Sequence, residues 1–180
     1  MTAIVSLLRA VNVGGNRIIA MADLRAVYES LGFTGARTYI QSGNVIFASQ
    51  EANVAKLTRK IERAIADRFG FTVDVVNRTA AELGTIVANN PFAKEAAADP
   101  GKVVVVFLSA PPSKEERTAL ERPIDGPERL KLTGANLYIH YAGGIGRSKL
   151  KLPLKTPGTM RNWRTVMTLA RMAGELESDR

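Results

Sequence analysis

The chain has 180 residues, 25 Lys+Arg against 17 Asp+Glu, a formal net charge of +8 and a pI near 10.0. Its 46% hydrophobic share and mean hydropathy of -0.03 exclude a disordered or fibrous chain, and this length can bury one good core or two small ones. The absence of cysteine excludes disulfides, thiol catalysis, Cys-based zinc sites and iron–sulfur ligation and fits a reducing cytosol, while a single histidine, His140, excludes a two-His metal site within one chain.

Along the chain, Ile4 to Ala10 reads as a buried strand, followed by the loop Val11 to Arg17. From Met21 the apolar positions Leu24, Val27, Tyr28 and Leu31 mark one helical face that stops at Gly32-Phe33. Arg37 to Gln41 and Asn44 to Ala48 read as strands around the turn Ser42-Gly43. A second helix carries Val54, Leu57, Ile61, Ile65 and Phe69 and ends on Gly70. With a strand over Phe71 to Val76, this half reads β-α-β-β-α-β, the split β-α-β order of a ferredoxin-like sandwich. In that reading Asp74 is an exposed strand residue beside Thr72.

Thr79 to Glu82 is a capping box that opens a short helix closed by Asn90-Pro91. The Ala/Asp/Pro/Gly stretch 95–101 reads as a linker. Val103 to Leu108, the longest apolar run, is six residues, a strand buried on both faces and far short of the roughly 20 residues a membrane span needs. No secretory signal features open the chain, so a cytoplasmic location is expected. Ser113 to Glu116 caps another helix, Arg129 to Leu132 and Leu137 to Tyr141 form a second hairpin, and a last helix starts near Thr159, its N-cap, burying Trp163, Val166, Met167 and Ala170.

The second half thus reads β-α-β-β-α, the first without its last strand. Arg37 and Asn44 lie over Arg129 and Asn136 at equal spacing, which makes duplication plausible; chance similarity of two hairpins is the alternative. The expected fold class is α+β, with two ferredoxin-like halves over 1–78 and 102–180, joined by a capping helix and linker over 79–101.

The charge is concentrated. Arg129 to Arg171 holds nine basic residues and no acidic one, leaving the remainder close to neutral, which argues for an anionic partner. Three segments carry candidate chemistry. In the first loop, Asn12, Gly14, Gly15, Asn16 and Arg17, with Arg9 before them, offer a cradle of backbone N–H groups for an anion; a βα connection needing positive φ is the structural alternative, and Walker and dinucleotide spacings are absent. The turn Gln41, Ser42, Gly43, Asn44 offers amides and a hydroxyl, or is simply a hairpin. The strongest runs from Gly143 to Arg164: a glycine turn, Arg147, alternating Lys149, Lys151 and Lys155 against Leu150, Leu152 and Leu154, then Arg161, Asn162 and Arg164 at an expected helix N-terminus. There is no nucleophile elbow, no paired carboxylate and no metal-ligand spacing; His140 reads as a strand residue.

Leu7 to Gly15, Met21 to Leu24, Leu31 to Phe33, Arg37 to Phe47, Asn90 to Phe92 and Thr159 to Val166 together resemble the bacterial family catalogued as domain of unknown function 1697, over about residues 3–175. This chain departs from it at Ala10, where the family usually has glycine. The resemblance implies a compact cytoplasmic α/β-sandwich protein of two related halves and no activity. It points to Arg9, Asn12, Gly14, Gly15, Gln41, Ser42, Gly43, Asn44, Arg161, Asn162 and Trp163.

The leading expectation is a non-enzymatic module that binds nucleic acid, RNA or single strands, through phosphate contacts. An enzyme or sensor for a small phosphorylated or carboxylated ligand, and a protein-interaction scaffold including self-association, are the alternatives. No cofactor, metal or membrane partner is expected.

Overall fold

The stripes of the first two helices need one apolar sheet face to cover, and the first half supplies it. A computed structural model describes residues 1–179, with β1 at Thr2–Leu8, α1 at Met21–Ser30, β2 at Thr34–Tyr39, β3 at Asn44–Ser49, α2 at Val54–Phe69 and β4 at Val75–Thr79. The sheet order is β2-β3-β1-β4, with antiparallel neighbours. Ile4 and Leu8 of β1, Val45 and Phe47 of β3 and Val75 of β4 pack with Leu24, Val27 and Tyr28 of α1 and Leu57, Ile61 and Ile65 of α2. Both helices end on left-handed glycines, Gly32 and Gly70.

The fourth strand starts four residues later than its apolar alternation predicts. Phe71 and Val73 do face the core, which is why they alternate like a strand. The ladder, however, begins where Val75 meets Leu8, the last residue of β1, so the earlier residues have no strand to pair with. Asp74 therefore precedes β4 rather than lying within it.

The remainder comprises α3 (Ala80–Ala88), α4 (Ala93–Ala98), β5 (Val103–Leu108), α5 (Lys114–Leu120), β6 (Arg129–Thr133), β7 (Asn136–His140), a single 3-10 turn at Ile145–Arg147, β8 (Gly158–Asn162) and α6 (Trp163–Ser178). The second sheet runs β6-β7-β5-β8, again antiparallel. Thr79 with Glu82, and Ser113 with Glu116, form the expected capping boxes. The stretch read as a linker is largely α4, whose Ala-rich sequence is intrinsically helical.

The second half departs from the expected β-α-β-β-α. The second half keeps its fourth strand and lacks instead the helix between its third and fourth strands. Thr159 sits inside β8, opposite Phe107, and α6 begins at Trp163, where the Asn162 side chain accepts the Thr165 N–H at 2.9 Å and does the capping expected of Thr159. Met167 is 45% exposed because Val166, Leu169 and Ala173 hold the buried face of α6.

The protein is thus mixed α+β, with two four-stranded antiparallel sheets, each accompanied by helices. The chain divides into two compact units, residues 1–85 with the stretch from 168 onward, and residues 86–167. Among the described residues no helix is long and apolar enough to cross a membrane.

Candidate functional site

In the first unit, the loop after β1 and the turn between β2 and β3 are tied together by one side chain. The Asn12 amide donates to the Ile19 carbonyl at 3.0 Å and the Gln41 carbonyl at 2.8 Å, and its oxygen accepts the Ile19 N–H at 2.8 Å. Gly14 and Gly15, both at positive φ, close a tight turn in which the Asn16 N–H donates to the Val13 carbonyl at 3.2 Å. Asn16 and Arg17 are exposed on that turn.

Gly43 has a packing reason: a Cβ there would lie 2.8 Å from the Leu8 Cβ. Buried Asn44 donates to the Tyr39 carbonyl at 3.0 Å and to the Ser42 hydroxyl at 3.1 Å. The charge on Arg9 is met by Asp74 at 3.1 Å, while the Arg9 N–H donates to the Asp74 carbonyl at 3.0 Å. The polar residues of this region are thus largely engaged in holding its own backbone.

Ala10 has a φ of 53°. That left-handed conformation is the physical reason for a glycine there, and alanine adopts it at a steric cost.

The second unit distributes its basic residues differently. Arg129 pairs with the Glu95 carboxylate and stacks over Phe92, 5.0 Å from the ring centroid. Arg161 lies in β8, not on a helix; its guanidinium is buried, donates to the Thr159 hydroxyl at 2.7 Å and the Met160 carbonyl at 2.9 Å, and burial lowers its pKa to about 10, so it stays charged at neutral pH. Asn162 caps α6 and Arg164 is exposed in its first turn. His140 ends β7, with Nδ1 3.4 Å from the Arg129 guanidinium.

Between β7 and β8, residues Ser148 to Pro157 belong to no helix or strand; they alternate between half-buried and exposed, the pattern of extended backbone, with a bend at Thr156. Leu150, Leu152 and Leu154 pack on the second core, against the cluster containing Leu120, Leu137 and Ile139. Lys149, Lys151 and Lys155 are exposed. Period-two alternation puts them on the side opposite the leucines, with Lys149 and Lys151 roughly 6.6 Å apart and Lys155 roughly 13 Å further on, past Pro153.

Both ends of this segment are held by carboxylates acting on it locally. Ser148 Oγ bonds to the Glu128 carboxylate. Glu116 accepts from the Lys155 N–H at 2.5 Å, the Thr156 N–H at 2.7 Å and the Thr156 hydroxyl at 2.9 Å, besides the Ser113 N–H at 2.8 Å. The Thr156 and Ser113 amides lead in lowering its carboxyl pKa to about 2. Sequence reasoning assigns Glu116 only to the helix cap; its larger role joins residues some forty positions apart, for which no local pattern exists.

The acids that anchor the segment therefore bind backbone and hydroxyl groups, not the lysine heads. Among the described residues no carboxylate lies within ion-pair distance of Lys131, Arg147, Lys149, Lys151 or Lys155. The strand aromatics Tyr138, Phe107 and Phe47 are fully buried and offer no stacking platform.

A family model described as "Protein of unknown function (DUF1697)" matches residues 1–138. The chain belongs to that family. Among solved structures, the conserved bacterial protein SP0830 from Streptococcus pneumoniae is similar at a TM-score of 0.78 and 24% identity, over 96% of this chain and 98% of that one; at that identity the likeness speaks for the fold. No curated protein matches the chain. Within this DUF1697 chain the Asn12 loop and the Gln41 turn are brought together by hydrogen bonds, and Lys149, Lys151 and Lys155 are brought into one row.

Proposed function

We propose that this protein is a non-enzymatic, cytoplasmic nucleic-acid-binding module that contacts phosphates through the row Arg147, Lys149, Lys151 and Lys155. The observation that carries this reading is the alternation of the 148–157 segment: leucines seal the core while each lysine faces solvent without a carboxylate partner. A row of cations on an extended, pinned backbone suits a flexible polyanion better than a small ligand, which needs donors converging from several directions. Buried aromatics argue for phosphate contacts in place of base stacking.

The test is binding of a fluorescent single-stranded oligonucleotide at low salt. The wild-type chain binds, and the triple variant Lys149→Gln, Lys151→Gln, Lys155→Gln binds markedly more weakly while keeping its thermal midpoint. Equal binding by the triple variant, or no binding by the wild type, overturns the assignment.

For the fold, we infer two ferredoxin-like halves related by duplication. Three features support this: the same strand order around the two sheets, the place of Asn44 and Asn136 as first residues of β3 and β7, and the equal spacing of Arg37 and Arg129 before them.

A further inference from the structure

The second sheet ends in an open edge. β6 pairs only with β7, in continuous antiparallel register. The two-residue turn Gly134-Ala135 makes Thr133 and Asn136 a hydrogen-bonded pair, so Lys131 with Tyr138 and Arg129 with His140 follow in kind. Leu130 and Leu132 then direct their N–H and C=O groups away from β7. Among the described residues no other backbone segment takes them.

Beside this edge runs a groove of about 690 Å³ whose apolar wall is Leu120, Ile124, Leu130 and Leu132; its charged lining is Arg117, Arg122 and Lys131 against Glu121 and Glu128, an excess of one positive charge. A second groove of about 280 Å³ shares Leu120, Arg122, Ile124 and Leu130 and adds Lys149 and Lys151, with Asp125 as its one lining carboxylate. Leu130 and Leu132 face the core side of the sheet, whereas exposed Lys131 faces the other side.

We propose that β6 is a docking edge for an extended acidic peptide of a partner protein, which adds a fifth strand to the second sheet. Main-chain bonds to Leu130 and Leu132 hold the peptide. Its alternate apolar side chains enter the groove over Leu120 and Ile124, and its intervening carboxylates meet Lys131. Charge decides between this occupant and a second copy of the chain. Two-fold pairing of β6 with itself over its full length sets its central Lys131 opposite Lys131, and like charges directly opposite destabilise a strand pair.

The experiment titrates the full chain with the blocked probe peptide Asp-Val-Glu-Leu-Asp-Val and follows amide hydrogen exchange and fluorescence anisotropy. The expected result is saturable binding with new protection at the Leu130 and Leu132 amides, weakened about fivefold or more by Lys131→Glu. Leu130→Pro, which removes an outward N–H at an edge position where proline is tolerated, abolishes it in a chain still folded by circular dichroism. If that variant does not fold, the exchange data and Lys131→Glu decide alone. Equal binding of the scrambled peptide Val-Val-Leu-Asp-Glu-Asp, protection elsewhere than at the edge, no binding at millimolar peptide, or a chain already dimeric through β6 overturns the proposal.

Discussion

The two sheets share a strand order, yet they cover their core faces by different means. In the first unit the connection from β3 to β4 is the 16-residue helix α2, which buries Leu57, Ile61 and Ile65 and keeps its charged residues on a broad solvent face. In the second, the connection from β7 to β8 contains one 3-10 turn and an extended segment whose covering side chains are Leu150, Leu152 and Leu154. A helix satisfies its own backbone and spreads its cations around a cylinder. An extended segment needs outside partners, here Glu116 and Glu128, and ranks its cations in a row. The same topological position thus serves as structure in one unit and as a charged surface in the other.

This contrast predicts unequal costs. Ile61→Ala in α2 removes a fully buried side chain and is expected to cost about 3 kcal/mol in urea unfolding. Leu152→Ala, at a half-buried position, is expected to cost about 1.5 kcal/mol. If the two are equal, the segment is packed as tightly as the helix and the contrast fails.

The carboxylate clamp sharpens the same point through pH. Glu116 has a folded pKa of about 2 against an ordinary value of 4.5. Because the folded value is depressed, its stabilisation is complete above the ordinary value and is lost as pH falls from there toward about 2. The protection of the amides of residues 148–157, measured as exchange relative to the intrinsic rate at each pH, is therefore expected to fall over that range in the wild type. In Glu116→Gln that protection is already low at neutral pH and nearly insensitive to acid. A local effect with no pH dependence would show that the amides, not the charge, hold the segment.

The smallest expected change lies in the first unit, where Ala10→Gly relieves a left-handed alanine and should raise stability by about 0.5–1 kcal/mol. No change, or a loss, would mean that the loop relaxes around alanine.

The sequence announces what depends on local rules. The stripes of α1 and α2, their glycine stops, both capping boxes and the buried run of β5 are each short-range patterns and are found where those patterns put them, except that Val54, at the first turn of α2, is exposed. It misplaces what depends on distant partners. The start of β4 follows from where β1 ends, β8 exists because β5 has a free side for it, and Glu116 acts on residues far along the chain. Thr159 illustrates the limit: Thr before an amphipathic run is an N-cap by any local rule, yet pairing with β5 makes it a strand residue and passes the cap to Asn162. The alternation of lysine and leucine from 149 to 155 was legible because period two is itself local; the ion pairing of Arg129 with Glu95 and the burial of Arg161 were not.

The lysine row is the proposed anion-binding surface, and the salt dependence of oligonucleotide binding tests it most directly. For a single strand each neutralised phosphate contributes a slope of roughly 0.7 in log affinity against log salt. The wild-type chain, with four cations engaged, is predicted to show a slope of about −3, and the triple Lys→Gln variant at 149, 151 and 155 a slope reduced in magnitude by about 2. An unchanged slope in that variant would place the anion-binding charge elsewhere on the protein and contradict the account.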